Sequence, residues 1–377
     1  MRNFNIILLI ILIHNFSLYS QKLDTLIDVG GYKLHFNIIK GKGTPILFEA
    51  GLGDDGTIWD NILMPIHNVT GATIITYDRA GFGKSEVNLE EKDISKHGIN
   101  NTINELEIAL KKLDYFKDFI LVGHSYGGSY SKLFASRHPD KIKYVVMVDS
   151  NPVSVITDDM NPEPMEKDDE NLGFYYWSHT VRKSNKLLKE TEFPSSIPVI
   201  DLEAEFLYTK NELIIRRFRD AHNKFVNEAN NRSKIRATGS GHYIFLDNPS
   251  LVINTIIKAY SSIQSKSQKF EILERALQNS IELSVESKKV EIENLHSEND
   301  LNEWGYKLIQ DNELEKALEV FKLNTILYPQ SWNAYDSYGE ALYASNKTGE
   351  AIKMYKKSIA LNPENENGKE MIKKIEK

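Results

Sequence analysis

The amino-acid sequence predicts an α/β protein with a doubly wound, mostly parallel sheet, followed by an all-α helical domain. Between about residues 23 and 264, short β-rich runs alternate with helical patterns, as in a parallel sheet covered by helices. Several runs are almost continuously apolar, which is typical of strands buried on both faces. Beyond residue 297 the pattern is helical only. The 377 residues leave room for about two domains.

Six segments carry the strand pattern. They are YKLHFNII, PILFEA, ATIITY, FILVG, YVVMVD and IPVIDL, in chain order. Between the third and fourth, Thr102 and Glu105 fit a capping box that would open a helix. Near the end of this region, Asn248 and Pro249 predict the N-cap and first turn of a final helix.

Charge and composition exclude several partners. The formal net charge of −7 is mixed along the chain, which argues against a basic surface for nucleic acid. No glycine fingerprint for a cofactor and no metal-spaced cluster of histidines and acids is found, so we expect neither group. The chain has no cysteine and therefore no disulfide. Because an exported protein can be stable without disulfides, this does not indicate in which cellular compartment the protein works.

The first twenty residues differ from all that follow. A positive start at Arg2 precedes an apolar run from Ile6 to Ile13 and then small and polar residues. This run is too short for a bilayer span, which takes roughly 20 residues. We interpret residues 1–20 as a signal peptide cut after Ser20, so that the mature protein is periplasmic or secreted and has no stable membrane span. A retained N-terminal anchor is the alternative.

Residues 151–196 interrupt the α/β alternation. The segment begins rich in proline, acids and amides, and then carries four adjacent aromatics, Phe174, Tyr175, Tyr176 and Trp177. Four neighbouring rings cannot all face one core, so some must cover another surface. We interpret the segment as a lid over the carboxyl edge of the sheet, with a long surface excursion as the alternative.

The C-terminal region repeats itself after a predicted connecting helix over residues 265–297. A shift of 34 residues superposes Gly305 on Gly339, Leu308 on Leu342, Ala317 on Ala351, Phe321 on Tyr355, Leu327 on Leu361 and Pro329 on Pro363. This pattern resembles the tetratricopeptide repeat. It implies two repeats and a capping helix over residues 298–377, and through them a protein or peptide partner. Asn324 and Ser358 stand where that family usually has alanine.

Ser125 lies in G-H-S-Y-G, between the strand FILVG and a helix expected from Tyr126 to about His138. A serine can attack from the carboxyl edge of a sheet only if its backbone turns sharply. Gly123 and Gly127 relieve the crowding that such a turn causes two residues away. The pattern and its context predict a nucleophile elbow with Ser125 as the nucleophile.

Residues 30–264 as a whole resemble the α/β-hydrolases. The stretch YDRAGFGKS, residues 77–85, is similar to the D-x-R-G-x-G-x-S turn of that family, where Asp78 and Arg79 would hold a loop. The resemblance implies a histidine base after the last strand. GSGHYIFLDNP, residues 239–249, puts His242 in such a loop, whereas His124 beside the nucleophile should point elsewhere.

The resemblance also implies two backbone donors for the oxyanion. One is the amide of Tyr126, directly after the nucleophile. The other falls in EAGLGDD, residues 49–55, at Leu52. The family commonly has His-Gly in this loop where the chain has Ala50-Gly51, but a backbone amide does not depend on that histidine.

The acid of the triad has two candidate positions. The usual family site follows the strand IPVIDL, where the matching position falls near Leu207 and the nearby acids are Glu203 and Glu205. Some members carry the acid one strand earlier, at the tip that Asp149 occupies here. We favour Asp149 and keep Glu203 and Glu205 as alternatives.

These residues predict a serine hydrolase that cleaves a carboxylic ester, or a related acyl bond, of a small to medium substrate through an acyl-enzyme. Iminopeptidase, lactonase and acyltransferase reactions use the same groups. The alternative is a scaffold that binds proteins through its repeats and carries a vestigial hydrolase domain.

Overall fold

The computed structural model describes residues 22–150, 161–207, 209–280 and 297–376. The predicted signal peptide and the first ten residues of the predicted lid lie outside these ranges. Among the described residues, no helix combines the length and the apolar character that a bilayer span requires.

A single eight-stranded sheet forms the first domain, in the order β1-β2-β4-β3-β5-β6-β7-β8. The strands are β1 (Lys22–Asp28), β2 (Lys33–Ile39), β3 (Gly43–Glu49), β4 (Ala72–Tyr77), β5 (Phe119–His124), β6 (Ile142–Val148), β7 (Val199–Ala204) and β8 (Arg232–Ala237). The β1–β2 and β2–β4 pairs are antiparallel and the others are parallel. The predicted mostly parallel sheet is therefore confirmed.

Helices cover both faces of the sheet. They are α1 (Asp60–Thr70), α2 (Ile99–Lys112), α3 (Gly127–Arg137), α4 (Leu172–Glu190), α5 (Glu212–Asn227), α6 (Ile244–Asp247), α7 (Pro249–Ser262) and α8 (Lys266–Ser280). One apolar core includes side chains of α2 and α3, and the other includes side chains of α1 and α7. This arrangement brings the carboxyl ends of β3, β5, β6 and β7 to one edge.

Two local predictions about helix starts had opposite outcomes. The capping box at Thr102 and Glu105 is wrong, because α2 begins at Ile99 with Gly98 as its N-cap, four residues before Thr102. Both residues lie within the helix and their side chains are buried in the domain. The Glu105 carboxylate accepts a hydrogen bond from the Tyr32 hydroxyl. The N-cap at Asn248 is confirmed, since its side chain accepts from the Leu251 amide at 3.1 Å.

The C-terminal region is helical, with α9 (Glu298–Gln310), α10 (Leu314–Leu327), α11 (Trp332–Ala344), α12 (Thr348–Leu361) and α13 (Glu366–Ile375). A Cβ on Gly305 would come within 2.5 Å of the Phe321 ring, and one on Gly339 within 2.9 Å of the Tyr355 ring. The two helix pairs thus use the same close approach, 34 residues apart.

Helix α8 contacts both regions. Its Phe270 packs against the core of the C-terminal helices, while Ile272 and Ala276 belong to the core beneath the sheet. Residues 281–296, the rest of the predicted connecting helix, lie outside the described residues.

Candidate active site

Ser125 occupies a sharp turn between β5 and α3. Its φ of 52° is in the left-handed region, which is strained for a residue with a side chain. A Cβ on Gly123 would meet the Ser131 hydroxyl at 2.6 Å, and one on Gly127 would meet the Ala50 carbonyl at 2.5 Å. Both glycines are therefore needed for the turn to pack against its neighbours.

Asp149 and His242 are brought together at the carboxyl edge of the sheet. Asp149 directly follows β6 with a φ of 42°, and its Oδ2 lies 2.6 Å from His242 Nδ1. Its Oδ1 accepts a hydrogen bond from the Ala204 amide at 2.9 Å, which ties the carboxylate to the end of β7. A proton held between Nδ1 and a carboxylate leaves Nε2 as the basic nitrogen of His242.

The acids of the alternative position have other partners. Glu203 is buried and its Oε2 lies 2.5 Å from Lys234 Nζ. Glu205 Oε2 accepts a hydrogen bond from the Gly239 amide at 2.7 Å. The geometry therefore favours Asp149 over Glu203 and Glu205 as the acid that orients His242.

The elbow contacts the elements that carry both other residues. The Ser125 amide donates to the carbonyl of Val148, the residue before Asp149, at 3.2 Å. From the same turn, His124 reaches the loop of His242, with the two ring centroids 4.5 Å apart. Nucleophile, acid and base candidates thus lie on three adjoining segments.

The loop of Leu52 is anchored by a buried arginine. Arg79 Nη1 donates to the Ala50 carbonyl at 2.8 Å, and Nη2 donates to the Gly51 carbonyl. Within the described part of the chain, neither the Leu52 amide nor the Tyr126 amide donates to a backbone carbonyl. The Tyr126 amide lies at the N-terminus of α3, which favours negative charge.

Sequence reasoning missed the role of Glu49 in this anchor. Glu49 is fully buried and accepts a hydrogen bond from the Tyr77 hydroxyl at 2.6 Å, with Arg79 Nη1 3.4 Å away. Burial raises the pKa of Glu49 to about 7, although Arg79 and Tyr77 act against the rise. The signal for such a role was one acid at the end of an otherwise apolar strand.

Asp78 holds the neighbouring loop, as expected from the resemblance. Its carboxylate accepts hydrogen bonds from the amides of Gly56 and Lys84, each at 2.8 Å. His35 Nδ1 lies 2.9 Å from the same carboxylate. These contacts fix the chain on both sides of β4.

The four aromatics of α4 point in different directions. Phe174 contacts the Phe82 ring at a centroid distance of 5.4 Å, and Trp177 contacts the Tyr126 ring at 6.2 Å. Tyr176 instead stacks on the ring of His97 at 3.8 Å. One side of α4 therefore covers the residue that follows the nucleophile candidate.

In the described ranges, no three histidine or acidic side chains are grouped to hold a metal ion.

Comparison with known proteins defines the class of this domain. Residues 44–193 match the family model of the alpha/beta hydrolase fold. The solved structure of ALR0039 from Nostoc sp PCC 7120, named as a candidate alpha/beta hydrolase, covers 64% of this chain and 98% of its own, with a TM-score of 0.52 and 15% identity. The sheet domain therefore has the α/β-hydrolase fold.

Two relatives found by sequence cover different shares of this chain. The uncharacterized protein YqjL of Bacillus subtilis is 28% identical over 236 residues, which are 62% of this chain and 90% of YqjL. A proline iminopeptidase of Saccharolobus solfataricus is 25% identical over 119 residues, which are 31% of this chain and 37% of that protein. The chain thus spans most of YqjL but little more than a third of the iminopeptidase.

Proposed function

We propose that the protein is a serine hydrolase that cleaves a carboxylic ester, or a related acyl bond, through an acyl-enzyme. Ser125 is the nucleophile, His242 the base and Asp149 the acid that orients it. The observation that carries the proposal is the 2.6 Å contact between His242 Nδ1 and Asp149 Oδ2, beside a serine held in a strained turn.

The reaction follows from these positions. His242 Nε2 takes the proton from the Ser125 hydroxyl as its oxygen bonds to the acyl carbon. The amides of Leu52 and Tyr126 donate to the oxyanion, and loss of one such donor costs roughly 3–4 kcal/mol. The protonated imidazole then gives its proton to the leaving group. Water, activated by the same nitrogen, releases the acid and restores Ser125.

The aromatic side of α4 supports a substrate with an apolar part. Phe174 and Trp177 lie against Phe82 and Tyr126, so an acyl or alcohol group near the oxyanion donors would meet rings on one side. We propose an ester of a small or medium apolar acid or alcohol. Because one relative is named a proline iminopeptidase, aminoacyl amides belong in the same substrate screen.

Labelling with a fluorophosphonate probe tests the proposal. We expect the wild type to be modified at Ser125 and to lose ester hydrolysis, and the Ser125→Ala variant to be both unlabelled and inactive. Ser129→Ala, a neighbouring buried serine, is the matched control and should label normally. A folded wild-type protein that takes no label would contradict the proposal.

A second candidate function belongs to the C-terminal helices. We propose that residues 298–377 form two tetratricopeptide repeats and a capping helix, and that they bind a protein or peptide. The repeated approach of Gly305 to Phe321 and of Gly339 to Tyr355 supports it. The two residues that depart from the family make equivalent hydrogen bonds in the two copies. Asn324 donates to the Glu298 carbonyl in the first, and Ser358 donates to the Trp332 carbonyl in the second. If the folded wild-type protein takes no label, binding through these helices becomes the main function.

A further inference from the structure

His124, the second residue of the elbow motif, points into the loop that carries His242. Its Nε2 lies 3.1 Å from the His242 carbonyl oxygen. A carbonyl only accepts, so Nε2 must carry the proton. Burial, with the neighbouring His242, lowers the pKa of His124 to about 3. The ring is therefore neutral at ordinary pH, and its Nδ1 has a lone pair and no proton.

Aromatic rings hold the His124 imidazole in this orientation. Trp59 and Phe245 meet it edge-on, at centroid distances of 6.2 and 5.0 Å. Tyr243 lies 5.0 Å away on the His242 loop. The side chain is 1% exposed, so the ring has little freedom to turn away from the carbonyl.

The other nitrogen of this ring faces Asp54, an acid of the loop over residues 49–55 that carries Leu52 (the oxyanion loop). His124 Nδ1 is buried and has no hydrogen-bond partner in the described part of the chain. Asp54 Oδ2 lies 3.8 Å from it. Burial raises the pKa of Asp54, and the charges of Arg79 and His242 act against the rise.

Gly51 makes the approach of Asp54 and His124 possible. A Cβ at this position would lie 2.6 Å from Asp54 Oδ2 and 2.9 Å from His124 Nδ1. Any other residue at position 51 would therefore push into both groups. Gly51, Asp54 and the His124 imidazole therefore pack closely together, with no space for a larger residue at position 51.

We propose that Asp54 and His124 form a positioning pair that holds the His242 loop against the elbow and the oxyanion loop. His124 Nε2 donates to the His242 carbonyl, and the Asp54 carboxyl group lies against Nδ1 of the same ring. This inference rests on the proposed function, since it concerns the placement of the proposed base. His124 acts through His242 and does not touch the reacting atoms.

Substitutions that keep shape but change hydrogen bonding test the pair. His124→Phe keeps the aromatic packing and removes the donor, and we expect kcat for a p-nitrophenyl ester to fall roughly 10- to 100-fold with KM nearly unchanged. His124→Gln restores an N–H donor and should recover most of this loss. Asp54→Leu should lower kcat about tenfold, and Asp54→Asn, which keeps a polar side chain of the same size beside His124, should recover most of this loss.

Controls separate this inference from the proposed function. His138→Phe, the same exchange at a partly exposed site directly after α3, should leave kcat unchanged. Thermal unfolding shows whether each variant is folded. If His124→Phe does not fold, the variants Asp54→Leu and Asp54→Asn still test the inference. The pair is refuted if His124→Phe, or in its place Asp54→Leu, keeps the kcat of the wild type while Ser125→Ala is inactive. An active Ser125→Ala would instead refute the proposed function.

Discussion

The sheet domain contains two Asp–His pairs with the same contact and different surroundings. Both Asp149–His242 and Asp201–His222 join Oδ2 to Nδ1 at 2.6 Å. In the second pair both side chains are 3% exposed and Asp201 lies within β7. In the first, Asp149 sits past the end of β6 in the left-handed region, and the His242 side chain is 13% exposed.

The comparison shows that a short Asp–His contact does not by itself identify a catalytic site. What distinguishes the first pair is its place at the carboxyl edge, beside the strained Ser125 and within reach of solvent. The second pair joins β7 to α5 inside the domain, where both side chains are almost fully shielded from solvent. We therefore expect the first pair to matter for turnover and the second for stability.

The largest expected effect is on turnover. Asp149→Asn replaces the carboxylate that accepts the His242 proton and favours the wrong tautomer, so kcat should fall on the order of 10⁴-fold. Thermal unfolding should change little. Glu203→Gln, on the neighbouring strand, is the matched control for turnover and should keep it. A larger loss of kcat in Glu203→Gln than in Asp149→Asn would move the acid to the other strand.

The next effect is on stability. Asp201→Asn leaves the buried His222 without its carboxylate, and breaking a buried pair in this way costs about 3–5 kcal/mol in the free energy of unfolding. Urea unfolding measures the change. Turnover per folded molecule should stay close to that of the wild type, and a collapse of turnover without destabilisation would show that the two pairs act together.

The same contrast explains how much was predictable from sequence. The strained turn of Ser125 and the loop of His242 are local features, and their motifs mark them. The acid could not be chosen locally, because Asp149 and Glu203 end adjacent parallel strands, and only their tertiary partners separate them. Lys234 engages Glu203, and the Ala204 amide engages Asp149.

The fold was predictable where burial dominates. The six apolar strands were expected, but β1 and β8 were not among them, because edge strands with charged, partly exposed sequences lack an apolar run. The helix start at Thr102 was wrong because a long-range bond from Tyr32 draws Glu105 into the core. Such a contact leaves no local pattern.

The smallest expected effect is the pH dependence of stability at the second pair. Burial would lower the pKa of His222, but the hydrogen bond and charge of Asp201 outweigh it and raise that pKa. Burial raises the pKa of Asp201 as well. A raised pKa means that the folded state holds the proton more tightly. The stabilisation from His222 is therefore complete below the unfolded value of about 6.5 and is lost as pH rises through the folded value.

The double variant Asp201→Asn with His222→Gln removes both protons from this balance. We expect its free energy of unfolding to fall less steeply than that of the wild type as pH rises above about 6.5, by at most ~1.4 kcal/mol per pH unit. Urea unfolding across this range measures both slopes. Glu49, whose pKa of about 7 adds a dependence of the same sign, is present in both proteins and cancels in the difference. Equal slopes would mean that Asp201 and His222 exchange no proton on unfolding, and the short contact would then join an ionised Asp201 to a neutral His222.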